Sequence, residues 1–426
     1  MSQNSTSSSL NSYANNNNVE DLLNCFLMSK NKKYCLYLIK LIEENPKLAN
    51  DYFNILNKNN LFKDLCLNEI SYLFIQKIIK NLNIQNINEL ITQILKKNFL
   101  ELCLNKNGSL VIQILIEKIY DDEKLVILFN HLLSQNLLEI ILNEYSNEII
   151  MKYFSLIKFP LNNEIFLLIQ NNLIQICLHK FSVIAIEKVI SELKNNEQKF
   201  NILFSIASIT NLIIYDQFGS LLIQKILNLN IENINKIIIQ QYLFQFNKNA
   251  CQKFSSFLFD QIFSLCNFET KQFLIKNICN IDNIKLLLFD FFGNYVLLNI
   301  INSSIEPYKT KYLQIIAMLF NYLKLFPIGN NIIQKYLISF PHLIKYLNFN
   351  SNNNNSNFNN FINQNNFNSK NYFEQNKFSY NLNNQIPENI SYNFLNLNFN
   401  NFLNYYYNNS NNINIKLNLN NKSNFL

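Results

Sequence analysis

Glycine and proline are nearly missing from this chain, with four of the first and six of the second in 426 residues. Tight turns depend on those two residue types, so a β-rich fold that reverses every ten residues or so is disfavoured and the helical classes remain. Arginine is absent altogether, and the net charge of +7 rests on lysine alone. That excess is compatible with a polyanionic partner, but lysine is also the ordinary solvated surface residue, so the charge decides little. No apolar run of about 18 residues escapes interruption by Lys, Asp, Glu, Asn or Gln, and the chain opens on Ser and Asn. Neither a spanning helix nor a leader is predicted, which points to a soluble intracellular protein without membrane partners. The eight cysteines form no Cys-x-x-Cys pair and no Cys/His cluster at zinc spacing. Reduced thiols and no bound metal are expected.

What is present is apolar and periodic. Nearly half the residues are hydrophobic, and the length exceeds what one ordinary core organises, so several domains or a repeat array is expected. The glycines decide between them. Gly108, Gly219, Gly293 and Gly329 are separated by 111, 74 and 36 residues, near multiples of 37. Stepping by 36 to 38 from them lands on Ser71, Ser146, Ser182 and Ser255, a small residue in eight of eight places. A fixed period of this length means a solenoid or array.

Two variable positions follow each small residue, then two apolar ones: Phe74-Ile75, Val111-Ile112, Ile149-Ile150, Ala185-Ile186, Leu222-Ile223, Leu258-Phe259, Val296-Leu297 and Ile332-Ile333. The next residue, the sixth of the unit, is Gln76, Gln113, Met151, Glu187, Gln224, Asp260, Leu298 or Gln334; six of the eight carry a planar amide or carboxylate. On a helix the first variable residue and the sixth are four apart and share a face, with the apolar pair on the other side. One polar row and one buried row are predicted. Cys66, Cys103 and Cys177 recur at one phase and read as small packing residues. A second amphipathic segment lies between, as in 87–100 or 124–133, the latter begun by Asp121 and Asp122. Each unit is thus about two helices and a short third piece, dependent on its neighbours for burial. A fainter copy falls at 34–41. The domain plan is a Ser/Asn-rich, disordered 1–20, a repeat domain over 21–348 with a divergent cap in 21–60, and an Asn-rich low-complexity tail over 349–426.

The wording of the repeat resembles the PUF (Pumilio) family. Asp290-Phe291-Phe292-Gly293-Asn294-Tyr295-Val296 is similar to the family's aromatic-Gly-Asn-Tyr-Val signature. Supporting copies are Asp216-Gln217-Phe218-Gly219-Ser220 leading to Gln224-Lys225, and His179-Lys180-Phe181-Ser182 leading to Glu187-Lys188. The resemblance covers roughly 60–340. It implies an all-α, right-handed superhelical α-solenoid of about eight repeats, crescent-shaped, whose second helices line a concave face that holds single-stranded RNA, one base per repeat. The first variable residue and the sixth then touch the edge of one base and the second variable residue stacks beside it.

Carried over residue by residue, the pattern implies adenine readers at Ser109 with Gln113 and at Ser220 with Gln224. Ser256 with Asp260 resembles a guanine reader, although the family uses Glu there. Asn330 and Asn331 with Gln334 match a uracil repeat in type, although the family's last repeat is often a cap. Four repeats depart from the pattern: Asn147 faces Met151, Asn294 faces Leu298, Val183 stands beside Glu187, and bulky Tyr72 stands beside Gln76. The stacking positions are mostly aliphatic, Leu73, Leu110, Ile184 and Leu221, with Phe257 and Tyr295 the aromatic ones; a stacked aromatic is worth about 1–3 kcal/mol per base. The implied site resembles 5′-U-G-A-N-N-A with Asn294 reading U. Lys77, Lys152, Lys188, Lys225 and Lys335 each follow a sixth position and are candidates for phosphate contacts.

The resemblance implies a non-catalytic, cytoplasmic protein that controls translation or decay of messenger RNAs, bound in 3′ untranslated regions, with effector proteins on the convex face. Two alternatives stay open: a nucleolar relative that binds ribosomal RNA, and a protein-binding scaffold without RNA affinity. An enzyme is not expected. All four glycines serve the repeat, leaving none for a phosphate-cradling loop. His131, His179 and His342 are far apart, and no paired carboxylates or nucleophile motif stands out, so neither cofactor nor small-molecule substrate is predicted.

Overall fold

The computed structural model describes residue 23 and residues 31–351, with side chains to 347. By contacts the chain forms two units, 1–343 and 344–426, and the repeats lie in the first. The segment 1–20 and nearly all of 349–426 lie outside the described residues; only the end of a helix, Leu343–Ser351, enters the predicted tail.

Among the described residues every regular element is a helix, as an all-α repeat solenoid requires. One helix per unit begins within two residues of the small residue; in the sixth unit it starts at Lys253, breaks at Phe257 and Leu258 and resumes at Phe259. These are α1 (Tyr72–Asn81), α2 (Lys106–Ile119), α3 (Asn147–Leu156), α4 (Lys180–Glu192), α5 (Gln217–Asn228), α6 (Phe259–Leu265), α7 (Gly293–Ser303) and α8 (Gly329–Ser339). Each of α1 to α6 packs on its successor. Between α7 and α8 the buried Tyr336 hydroxyl donates to the Asn294 carbonyl at 2.8 Å. All sixteen residues of the apolar pairs are buried, and each large side chain so placed contributes on the order of 1.5–3 kcal/mol.

A second series backs the first. Glu123–Leu142, Asn163–Asn171, Asn196–Ser208 and Glu232–Phe244 pack one on the next, and short third pieces such as Leu173–Cys177 and Thr210–Ile213 close the unit. Glu123–Leu142 is apolar and long enough to cross a membrane. Half of it is buried against neighbouring helices, and its Asn130 amide is tied to Leu161 O and the Tyr153 hydroxyl. The faint first copy is a helix too: Lys32–Glu44 buries Cys35, Leu38 and Ile42 and packs on α1.

The small residue has a single geometric cause. In the serine repeats the hydroxyl donates to the carbonyl six residues upstream: Ser71 to Leu65, Ser146 to Ile140, Ser182 to Ile176 and Ser255 to Asn249, at 2.6–2.8 Å. In the glycine repeats the same carbonyl stands where a Cβ would be, 2.3 Å away at Gly108, 2.2 Å at Gly219, 2.9 Å at Gly293 and 1.6 Å at Gly329. The helix start is pressed against the turn before it, so the position takes a hydroxyl that bonds that oxygen or no side chain at all.

Asparagine supplies the punctuation that glycine and proline do not. Asn83, Asn195, Asn267 and Asn280 cap helices through their side-chain oxygens, as does the predicted Asp122. Asn60 and Asn230 take the left-handed conformation, φ 56° and 53°, just past helix ends.

Candidate nucleic-acid interface

A cap sets each helix entry. Three residues before the small position, Asn68, Asn105, Asn143, Asp216 and Asp290 each accept hydrogen bonds from the small residue's N–H and the N–H before it. This Asx signature recurs in phase in five of the eight units and is readable in the sequence three residues ahead of the small position. With the entry fixed, the second variable residue points outward. Leu73, Ile184, Leu221, Phe257 and Tyr295 are exposed, Phe257 by 64% and Tyr295 by 56%, as are Glu148 and Asn331, while Leu110 is half-buried. One helix after another therefore shows an outward-facing side chain at the same position, six of the eight apolar.

The first variable residue departs from expectation. An exposed polar row is predicted, but Ser109, Asn147, Val183, Ser220 and Asn294 are buried, Tyr72 and Ser256 are half-buried, and only Asn330 is exposed. The tight helix entry draws the residue after the small one into the joint. Its polar atoms bond backbone there: Ser109 to Lys106 O, Ser220 to Phe254 O of the next unit, and Ser256 to Lys253 O. Asn147 donates to Asn143 O and Glu144 O, and Asn294 to Asp290 O and Phe291 O. An asparagine here is an extra cap that still keeps its side-chain oxygen.

The sixth residues are half-buried except Asp260 and Gln334, which are exposed. Several are held by the next unit. The Gln76 amide donates to Leu110 O at 3.0 Å, the Gln113 amide reaches the Glu148 carboxylate at 3.5 Å, and Asp260 accepts from the Asn299 amide at 2.5 Å. Glu187 takes both its oxygens to the Lys225 ammonium, at 2.6 and 2.5 Å. The Gln224 side chain has no hydrogen-bond partner among the described residues, and the Met151 and Leu298 side chains carry no strong hydrogen-bonding group. In the sixth unit the helix is interrupted at Phe257 and Leu258, so Ser256 and Asp260 lie on two helical segments rather than one.

The lysine column is mostly neutralised. Lys77 pairs with Glu43 at 2.7 Å, Lys152 with Glu117, Lys188 with Glu192 at 2.7 Å, and Lys225 with Glu187. Lys335 pairs with no carboxylate among the described residues; its Nζ stands 3.0 Å from the centre of the Tyr295 ring. Away from this face, burial pushes the Cys177 thiol up to about 12 and the Cys266 thiol up to about 11. All seven described cysteines are free thiols, and no group of His, Cys, Asp and Glu among the described residues is arranged to hold a metal ion.

The arrangement is matched by known proteins. Residues 98–133 and 213–241 match the Pumilio-family RNA binding repeat. Pumilio homolog 12 of Arabidopsis thaliana is 19% identical over 275 residues, which is 64% of this chain and 46% of that protein; the chain thus spans about half the length of this relative. Among solved structures, the Puf4 RNA-binding domain bound to the HO endonuclease RNA 3′ UTR recognition sequence is 22% identical, covers 72% of this chain and 96% of that one, and superposes with a TM-score of 0.56. The PUM-HD domain of S. pombe Puf1 in complex with RNA is 18% identical over 69% of this chain and 80% of that one, with a TM-score of 0.58.

Proposed function

We propose that the chain is a divergent member of the Pumilio family and that it binds single-stranded RNA through the face formed by α1 to α8, one base per repeat. One observation carries the reading: in six of the eight units a side chain able to stack stands at the outward position, Leu73, Leu110, Ile184, Leu221, Phe257 and Tyr295, and Gln76, Gln113 and Gln224 lie three residues further along the same helices. Three residues is nearly one helical turn, so stacker and amide sit side by side. An amide offers a donor and an acceptor together, as adenine's edge requires, while a carboxylate only accepts and suits the N–H groups of guanine.

Selectivity is concentrated in the second and fifth repeats. Ser109 and Ser220 are buried, which leaves Gln113 and Gln224 as the polar groups that meet a base there. Asp260 keeps one oxygen outside its bond to Asn299 and serves as an acceptor for guanine. The third and seventh repeats, with Met151 and Leu298, accept a base with little discrimination by their sixth residues. The protein acts without catalysis, in the cytoplasm, on 3′ untranslated regions of messenger RNAs, and recruits effector proteins through its other surfaces.

Selection of a randomised single-stranded RNA pool on the full chain tests this. Enrichment of a motif containing G followed by A is expected; a pool that stays random, with no RNA retained at moderate salt, contradicts it and favours a protein-binding scaffold. The apolar sixth residues Met151 and Leu298 favour one competing reading, a nucleolar protein on ribosomal RNA with weak base preference. Crosslinking followed by identification of the bound transcripts separates messenger from ribosomal RNA.

A further inference from the structure

Lys335 is the exception in a column of otherwise satisfied lysines. Its counterparts find carboxylates at four places: Lys225 on the sixth residue of the preceding unit, Lys152 and Lys77 four and three residues beyond that point, and Lys188 four residues on in its own helix. The residues at those four places around Lys335 are Leu298, Asn302, Ile301 and Ser339. None is acidic.

Lys335 itself is half-buried. Tyr336 is fully buried, and its hydroxyl is bonded to the Asn294 carbonyl, which docks α8 on α7 and sets the adjacent Lys335 over the Tyr295 ring. The ammonium nitrogen is shielded from solvent and has no hydrogen-bond acceptor among the described residues. The aromatic face returns part of what desolvation costs, but three N–H donors stay unsatisfied, and burial lowers the Lys335 pKa to about 8. A buried cation without an acceptor is a poor structural element. It is a good place for an incoming oxygen.

The seventh repeat needs such a group. Asn294 has turned its amide into its own helix entry, and Leu298 cannot hydrogen-bond, so the stacking residue Tyr295 stands beside no side-chain reader from its own unit. Resting on the RNA-binding reading above, we propose that Lys335, one helix over, is the specificity-determining residue for the nucleotide stacked on Tyr295, donating to an exocyclic carbonyl of the base. Uracil, guanine and cytosine carry such an oxygen and adenine carries none, so the seventh position selects against adenine. A phosphate oxygen would satisfy the same ammonium, but the shielded nitrogen against the ring favours the base edge over the solvated backbone.

The test is selection of a randomised single-stranded RNA pool by the full chain and by Lys335→Met and Lys335→Arg variants, followed by affinities for the enriched sequence at several salt concentrations. The wild-type pool should exclude adenine at one position. Lys335→Met should bind the wild-type sequence about 10-fold or more weakly, as for a lost hydrogen bond from a charged donor. It should lose the exclusion at that position alone, with unchanged salt dependence and thermal unfolding, while Lys335→Arg should keep it. A Lys335→Met motif and affinity equal to wild type overturn the assignment. So does a uniform loss over all sequences with a salt slope reduced by about one contact, which marks a phosphate. If the wild type enriches nothing, RNA binding itself has failed, a result distinct from either of these.

Discussion

The second and fifth repeats and the third and seventh are built on one frame and filled with different chemistry. All four open on an Asx cap, Asn105, Asp216, Asn143 and Asp290, and all bury their apolar pair. The second and fifth then place Ser109 and Ser220 in the joint and present Gln113 and Gln224 beside the stacking residue. The third and seventh turn Asn147 and Asn294 back onto their own helix entries and present Met151 and Leu298. The cap, the small residue and the apolar pair make the solenoid in all four, while the sixth residue differs between them, an amide in one pair and an apolar side chain in the other. At these four repeats base reading can change with the frame kept.

Substitutions in the frame should have the largest effects. Gly219→Ala drives a Cβ to 2.2 Å from the Ile213 carbonyl, and a cost of about 1–3 kcal/mol is expected from forcing volume into a packed joint. Gly293→Ala approaches Leu287 O at 2.9 Å and the Cys251 sulfur at 3.0 Å, so it should cost less. Denaturant titration of the two variants checks the order, and equal losses would break the account of the small position.

Reading should change next, with the frame intact. Gln224→Glu replaces a donor-acceptor amide with an acceptor, and one position of the selected RNA should move from A to G by roughly tenfold, or ~1.4 kcal/mol. Met151→Gln should give the third repeat a preference that the wild type lacks, by a few-fold, measured on RNAs varied at that one base. If Gln224→Glu leaves the motif unchanged, the sixth residue is not a reader. The smallest effect belongs to Lys225→Met, which removes a partly exposed ion pair with Glu187. About 0.2–1 kcal/mol of stability is at stake, and the freed Glu187 should sharpen selection for guanine at the fourth repeat.

The frame was legible in the sequence because it is local and periodic. Four glycines and four serines at one spacing mark helix starts, and the alternation of apolar pair and polar sixth residue marks buried and outward sides. The site was less legible, because what decides it lies on the next helix. Glu187 reads as a free acceptor until Lys225, 38 residues away, is seen to hold it, and Asp260 until Asn299 is seen beside it, 39 residues on. Ser109 and Ser220 read as exposed contacts because helical spacing alone does not show that the close approach at Gly108 and Gly219 buries the next residue. Lys335 resembles four other lysines in sequence and differs from them in having no carboxylate partner among the described residues, either across the joint or in its own helix.

The central claim is that the outward residues of the eight repeats meet nucleotides in order along the chain. Ultraviolet crosslinking of the full chain to its selected RNA, with the attached residues mapped by mass spectrometry, tests it most directly. Adducts at Tyr295 and Phe257 are predicted, with Tyr295 nearer the RNA 5′ end. Adducts confined to the backing helices, such as Phe268 in Phe268–Ile278 or Phe244 in Glu232–Phe244, would contradict it.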